Sequence, residues 1–304
     1  MKTKNILVVG GSGKIGKKLI LSLYKKNKIF LYDKNLPTNF PLKGINFIKG
    51  DLLIDKDLKK IPKKIDTIFF LAGMTGGPKS MNIDNLKKYL DYNCESLLSF
   101  LKSIKKIKIK KIIFTSTEQV YGNITQGLIR NNSSEPEPIN YYGVSKLIAE
   151  KILHNFYNKS KVNIDILRIP RVVGVSNNDL ISNMITTAKK KNKIYLKKTK
   201  VKFNFININD LLNTFHICLS KYKTDFRILN IFNDSKPLTL KDIANKIRVI
   251  LGKKLKINFL PKKNIIEHNP LNLRISNVDT KKKLSWKPLF GIDKIIREII
   301  NISN

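Results

Sequence analysis

Short apolar runs recur along the first half of the chain: ILVV at 6–9, IFLY at 29–32, INFI at 45–48, TIFFLA at 67–72, KIIFTS at 111–116 and IDILRI at 164–169. Their apolar residues are consecutive and do not alternate with polar ones. That is the pattern of strands covered on both faces. The stretches between them change period. In IGKKLILSLY (15–24), apolar residues at 15, 19, 20 and 23 share one side of a helix. In YGVSKLIAEKILHNF (142–156), Val144, Leu147, Ile148, Ile152 and Leu153 share one side in the same way. Strands alternating with helices predict an α/β chain with a doubly wound parallel sheet. Beyond about residue 170 the alternation loses its regularity, and turns such as SNND (176–179) and NDSKP (233–237) interrupt it. The reading is therefore a sheet domain over 1–169 and a smaller C-terminal lobe over 170–304. One excursion back to the sheet is placed at FNFINI (203–208) and its sequel to 222. No internal repeat is evident.

Composition narrows the partners. Of 304 residues, 42% are hydrophobic, enough to bury a core. No apolar run approaches the roughly 18 residues that a membrane span needs. The opening MKTKNILVVGG has no small-residue cleavage site. Two cysteines, Cys94 and Cys218, give no disulfide framework and fit a reducing cytoplasm. The three histidines (His154, His216, His268) have no metal-ligand spacing with them, so no metal is expected. The net charge of +37 raises the question of nucleic acid. Yet only seven of the 59 basic residues are Arg, the side chain that reads bases. The lysines run through the whole chain beside many Asn and Ile, all three with A/T-rich codons, an excess that an A/T-rich genome would explain. What survives is a positive field that draws in an anionic substrate or cofactor.

VVGGSGKIG (8–16) follows a strand and opens a helix. Gly11, Gly13 and Gly16 satisfy G-x-G-x-x-G, and Gly10, Gly13 and Gly16 satisfy G-x-x-G-x-x-G. Glycines there permit a tight turn and let backbone N–H groups approach a pyrophosphate at the helix N-terminus. Asp33 ends the next strand, 17 residues after Gly16. A carboxylate at that place accepts from both adenosine ribose hydroxyls and favours NAD. Lys14 and Lys34 stand close enough to tolerate a 2′-phosphate, which keeps NADP open. A glycine-rich turn with no ligand is the alternative.

Tyr142 and Lys146 in YYGVSK (141–146) are four apart on a helix, so they share a face. A phenol with a nearby ammonium and an oxidised nicotinamide shifts toward phenolate. It can then take a proton from a sugar hydroxyl while hydride leaves the same carbon. FTSTEQVYG (114–122) lines up three hydroxyls, a carboxylate and an amide just past an apolar run.

In order, GGSGKIG, Asp33, GDL (50–52), FLAG (70–73), Asn93, STEQVYG, the Tyr-x-x-x-Lys pair and LRIPRVVG (167–174) resemble the extended short-chain dehydrogenase/reductase family. The nucleotide-sugar epimerase and dehydratase branch is the narrower likeness. It continues through FNFININDL (203–211) and DTKKKLSWKP (279–288). The resemblance implies a Rossmann-type fold with a substrate-binding lobe, and catalysis by Thr117, Tyr142, Lys146 and Glu118. It implies that Thr117 bonds the reacting sugar oxygen and that Lys146 also holds the nicotinamide ribose. Gly10, Gly13, Lys14, Ile15 and Gly16 would carry the cofactor phosphates. Asp51 and Leu52 would line the adenine. Leu71, Ala72, Gly73, Asn93 and Ile169 would complete the cofactor site. Thr75, Thr117 and Glu118 would face the sugar. Arg171 stands where many relatives carry an Asn near the substrate pyrophosphate. Arg171 and Arg274 are each either anion binders or structural ion-pair partners.

Dehydratases of this branch place Asp and Glu after the Thr. Here Glu118 can still move a proton, but Gln119 is an amide and cannot. The reading is therefore an NAD(P)-dependent enzyme acting by hydride transfer at C4 of a nucleotide sugar, as an epimerase or a 4-keto reductase. A 4,6-dehydratase or decarboxylase is the alternative. From another class comes a non-catalytic, nucleic-acid-binding member of the superfamily. The resemblance also implies a homodimer with no membrane partner.

Overall fold

Strand β1 (Asn5–Val9) sends Ile6 and Val8 into one apolar layer and Leu7 and Val9 into another, all four fully buried. A strand without a polar face needs cover on both sides, and the chain supplies it in order. Helix α1 (Lys14–Leu23) lays Leu19, Ile20 and Leu23 on the first layer. Strand β2 (Lys28–Asp33), strand β3 (Ile45–Lys49), the short helix α2 (Asp55–Leu58) and strand β4 (Thr67–Phe70) follow. Helices α3 (Leu86–Leu90) and α4 (Ser96–Ser103) flank one π-helical turn, Asp91–Glu95. Leu97, Phe100 and Leu101 of α4 cover the second layer. Strand β5 (Lys111–Thr117), helix α5 (Tyr141–Ser160) and strand β6 (Asn163–Ile169) complete this part. The computed structural model describes residues 3–302 apart from 38–39, 41–42, 124–133, 176–178, 222–224, 253, 262–266 and 272. Most of the SNND turn thus lies outside the described residues.

Next come β7 (Arg171–Val173), α6 (Leu180–Lys191), β8 (Lys193–Leu196), β9 (Phe205–Asn207), α7 (Ile208–Ser220) and β10 (Phe226–Asn230). Helix α8 (Leu240–Leu251), strand β11 (Lys256–Phe259), α9 (Val278–Leu284) and α10 (Ile292–Ile302) end the chain. The main sheet has seven strands in the order β10-β6-β5-β4-β1-β2-β3, and every pair is parallel. The order reverses between β1 and β4. The carboxyl ends there open a crevice, where ligands of such sheets bind. A separate core, with Ile181, Ile185, Ile194, Ile243, Ile247 and Ile295 at its centre, holds the C-terminal lobe.

Two expectations need correction. FNFINI does not rejoin the main sheet: β9 pairs with β7 in a two-stranded sheet of its own. The return is made by α7, whose Leu211 and Phe215 enter the first layer, and by β10, which pairs with β6. The excursion therefore runs on to Asn230. Its edge strand is anchored by buried charge: Asp165 on β6 pairs with Arg227 of β10 at 2.6 Å and with Lys111 of β5 at 2.7 Å. The apolar side read on α5 is only part of its inward side: Leu153 is buried and Val144, Leu147 and Ile152 are half-buried, but Ile148 is exposed, and Ser145, Lys146, Ala149 and Glu150 are buried as well. The helix turns a polar stripe inward because Glu150 is held there, by both arms of Arg168 (3.0 and 2.6 Å) and by the Ser116 hydroxyl.

Candidate active site

A cleft of about 2010 Å³ runs along the carboxyl ends of β1 and β4 and under the C-terminal lobe. Single small-molecule sites occupy roughly 300–1,000 Å³, so this cleft has room for two ligands side by side.

The glycine loop forms one end. Gly10 adopts φ +78°, and a Cβ there would lie 2.5 Å from the Ala72 nitrogen, so the β1 and β4 loops meet backbone to backbone. Gly13 is the N-cap of α1 and has no such crowding: a Cβ there would meet nothing closer than the Gly10 carbonyl at 3.4 Å. Bare backbone at a helix N-terminus is left facing the cleft, a cradle for an anion that a side chain would fill. Asp33 accepts from the Ser12 amide (3.0 Å) and the Asn35 amide (3.2 Å), which fixes its carboxylate beside the loop. Lys34 pairs with Asp51 at 2.8 Å and lies over the Tyr92 ring. Its charge is thereby committed, so the residues present fit a dinucleotide with free ribose hydroxyls better than one with a 2′-phosphate. Lys14, Ile15, Leu52, Leu71, Ala72, Gly73 and Thr75 line the same cleft.

Asn93 acts through the protein. Its oxygen accepts from the Met74 amide (2.8 Å), and its nitrogen donates to the Met74 carbonyl (3.1 Å) and the Ser145 hydroxyl (2.8 Å). That ties the loop after β4 to α5, and the π-helical turn that carries Asn93 permits it. Ile169 packs into the first apolar layer, in register with Thr117, behind the cleft wall.

The reacting groups converge at the middle. β5 ends at Thr117, whose hydroxyl accepts from the Gln119 amide at 3.3 Å. Asn140 caps α5 by accepting from Gly143 N at 2.8 Å, and Tyr142 lies in the first turn that follows. The backbone at Gly76 lies against the Tyr142 ring: a Cβ there would come within 2.5 Å of it. Lys146 lies a turn below, buried, with Nζ 4.1 Å from the centre of the Phe114 ring. Burial pushes the Tyr142 phenol up to about 12, against a hydrogen bond from Thr117 and with Tyr89 and Glu118 adding to the rise. Burial also brings Lys146 down to about 8, with Glu150 and Cys94 opposing. The unliganded phenol is thus neutral near pH 7. Glu118 is raised to about 7 by burial, opposed by its bond from Asn204 and by Arg171.

Gln119 has a structural partner. Its side-chain oxygen accepts from Asn140 at 2.8 Å, and the same Asn140 nitrogen donates to the His268 carbonyl at 2.8 Å. The C-terminal lobe contributes Arg171, Lys197, Lys198, Phe203, Glu267 and His268 to the opposite wall. Arg274 is not among these residues; it is exposed, away from the cleft. Sequence reasoning missed Asn140, which an Asn placed just ahead of the helix could have signalled. It also missed Gly76 and the walls at 195–199 and 267–269, which carry no motif. Among the described residues no group of three His, Cys, Asp or Glu is placed to hold a metal.

The model of the NAD dependent epimerase/dehydratase family matches residues 6–231. A dTDP-D-glucose 4,6-dehydratase of Dictyostelium discoideum is 30% identical over 80% of this chain, which spans only 61% of that enzyme's length. A UDP-glucose 4-epimerase of Lacticaseibacillus casei is 27% identical over 97% of this chain and 96% of its own. Among solved structures, the UDP-glucuronic acid 4-epimerase of Bacillus cereus, in complex with UDP-glucuronic acid and NAD, superposes with a TM-score of 0.84. It has 23% identity and covers 99% of this chain and all of its own, a likeness of fold. With a family model matched from the first strand to β10, this chain belongs to the NAD dependent epimerase/dehydratase family.

Proposed function

We propose that the chain is an NAD-dependent nucleotide-sugar 4-epimerase. The observation that supports this reading is that Thr117 and Tyr142 line the cleft together, between its glycine-loop half and the C-terminal lobe, with Lys146 buried one turn along α5 from Tyr142. The cradle at Gly13 and the carboxylate of Asp33 would hold NAD, which when bound supplies a hydride acceptor and donor and a positive ring. Tyr142 takes the proton from the C4 hydroxyl and returns it after the sugar has presented its other face. Thr117 holds the same oxygen. With its pKa raised to about 12, Tyr142 needs positive charge close by to act as a base, and Lys146 supplies part of it. Lysine at about 8 is still largely cationic at neutral pH.

Dehydration is the weaker reading. It needs two titratable groups beside Tyr142, and Gln119 cannot titrate; its amide is engaged by Asn140. Both cysteines are buried and free, which fits the reducing cytoplasm proposed for it. No helix among the described residues is long and apolar enough to cross a membrane. A homodimer is the proposed assembly, to be checked by sedimentation.

The test is product analysis by mass spectrometry and NMR with a panel of nucleotide hexoses. The expected outcome is an isomer of unchanged mass. Loss of water would overturn the inference from Gln119, and net consumption of NADH on a keto sugar would make the enzyme a reductase. Tyr142→Phe should lower turnover by about 10²–10⁴ while NAD stays bound. A fully active Phe variant would refute the mechanism.

A further inference from the structure

Arg171 is built differently from the other inward-facing arginines. Arg168 grips Glu150 with both arms, and Arg227 grips Asp165 in the same way. Arg171 has no such carboxylate among the described residues. Its Nε is sealed from solvent and has no hydrogen-bond partner. Its Nη2 reaches only the Asn269 side chain, at 3.5 Å, and its plane lies over the Phe203 ring at 5.1 Å. The two nearby carboxylates are occupied: Glu118 accepts from Asn204, and Glu267 accepts from Thr199 and from the Asn269 amide and side chain. A guanidinium desolvated without a bonded counter-ion is costly, and one that lines a cleft can be matched there by a planar anion.

Its position selects which anion. Ile169 is the register partner of Thr117 at the end of β6, and Arg171, two residues on, opens β7. Arg171 acts electrostatically on Glu118, and Glu118 on Tyr142. Arg171 therefore borders the sugar end of the cleft. Cations for a diphosphate are available elsewhere: Lys197 and Lys198 are exposed on the cleft wall. A neutral hexose brings one anion, its diphosphate, and would leave Arg171 unmatched.

Resting on the nucleotide-sugar reading above, the geometry points to Arg171 as the seat of a carboxylate on the sugar ring itself, so that the substrate class is a nucleotide-linked hexuronic acid. The carboxylate meets the guanidinium at the cleft wall, and the Phe203 ring holds its plane in place. Sugars with a hydroxymethyl group at that carbon bind less well because the buried cation stays unpaired.

The test is equilibrium binding by calorimetry on the full chain loaded with NAD and carrying Tyr142→Phe, so that nothing turns over. The probes are UDP, UDP-glucose and UDP-glucuronate, which carry the nucleotide of the solved Bacillus cereus complex. The two sugars differ only at C6. UDP-glucuronate should bind at least about tenfold tighter than UDP-glucose. Arg171→Met should remove that preference and leave UDP and UDP-glucose within about threefold. Arg171→Lys, with charge but no fork, should keep part of it. Retained NAD shows that each variant is folded. Equal binding of the two sugars by the parent protein overturns the proposal. So does an equal loss on all three probes in Arg171→Met, which would assign Arg171 to the diphosphate. In both cases the nucleotide-sugar reading stands. If no probe binds, that reading falls and this proposal with it.

Discussion

Burial drives Glu118 and Lys146 toward each other in acidity, up to about 7 and down to about 8, and each shift has a measurable consequence. Glu118 titrates near 4.5 when unfolded, so its contribution to stability is full below that pH. It is lost as the pH rises from there through about 7, because the unfolded chain has released a proton that the folded chain still holds. Glu118→Gln is neutral at every pH and escapes this loss. Thermal melts of the unliganded proteins should show the variant gaining roughly 1–3 kcal/mol on the parent between about pH 5 and about pH 8. A constant difference would place Glu118 in water. For Lys146 the relevant form is the cation, present below its lowered pKa and needed to favour the Tyr142 phenolate. The pH profile of kcat/KM, which reports the free enzyme, should fall above about pH 8. Lys146→Arg, which does not deprotonate in this range, should move that limb upward in whatever activity it keeps; an unmoved limb would belong to another group.

Helix α5 is the element on which the site depends, and Asn140 sets its start. One side chain caps the helix through its oxygen, while its nitrogen bonds Gln119 at the end of β5 and the His268 carbonyl of the C-terminal lobe. Strand end, helix start and outer lobe are thereby fixed relative to one another, one turn or less from Tyr142. The two halves of the side chain can be separated. Asn140→Asp keeps the capping oxygen and loses both donated bonds; Asn140→Ala loses everything. The alanine variant should lose about 1–2 kcal/mol of stability, and the aspartate variant clearly less. Both should lose roughly tenfold in kcat, since small misplacement of a reacting group is expensive. An aspartate variant with full kcat would reduce Asn140 to a cap. This element also shows what the sequence could reveal. The strands were legible because consecutive apolar residues in a parallel sheet have no other use. The glycine loop, Asp33, Thr117, Tyr142 and Lys146 were legible because local spacing sets their geometry. The inward face of α5 was not, because Lys146 and Glu150 are buried by virtue of partners such as Phe114 and Arg168 that lie far away in sequence. The short β9 was misplaced for a related reason: Phe205–Asn207 is three residues long, and nothing local tells it which strand to pair with. The wall at 195–199 and 267–269 is assembled by tertiary packing alone.

The charge belongs to the whole molecule. A net +37 with 59 basic residues reads at first as a nucleic-acid surface. Few arginines are left for that use: Arg168 and Arg227 are spent in buried ion pairs, Arg171 lines the cleft, and among the described residues Arg248, Arg274 and Arg297 are exposed. The surface charge is dominated by lysines, a field of many point charges, with Lys14, Lys197 and Lys198 at the cleft itself. Such a field cannot read bases, but it can concentrate anions at a cleft with low-dielectric walls and raise their rate of encounter. Cofactor and proposed substrate are both diphosphates, so both should feel it. Steering acts on the approach and leaves the bound state alone. Raising ionic strength from about 0.05 M to about 0.5 M should therefore cut kcat/KM by roughly tenfold and leave kcat within about twofold, as screening shortens the reach of the field. Replacing Lys197 and Lys198 together by alanine should flatten that salt dependence, while replacing as many lysines on α10 and α9, far from the cleft, should barely change it. If both pairs of replacements act alike, the field is global and the lysines reflect composition alone. If neither acts and an RNA oligonucleotide still binds at the higher salt, the charge serves a partner other than the substrate. The expected pattern, local slope and no salt-resistant RNA binding, would make the excess charge useful only where the fold brings it to the cleft.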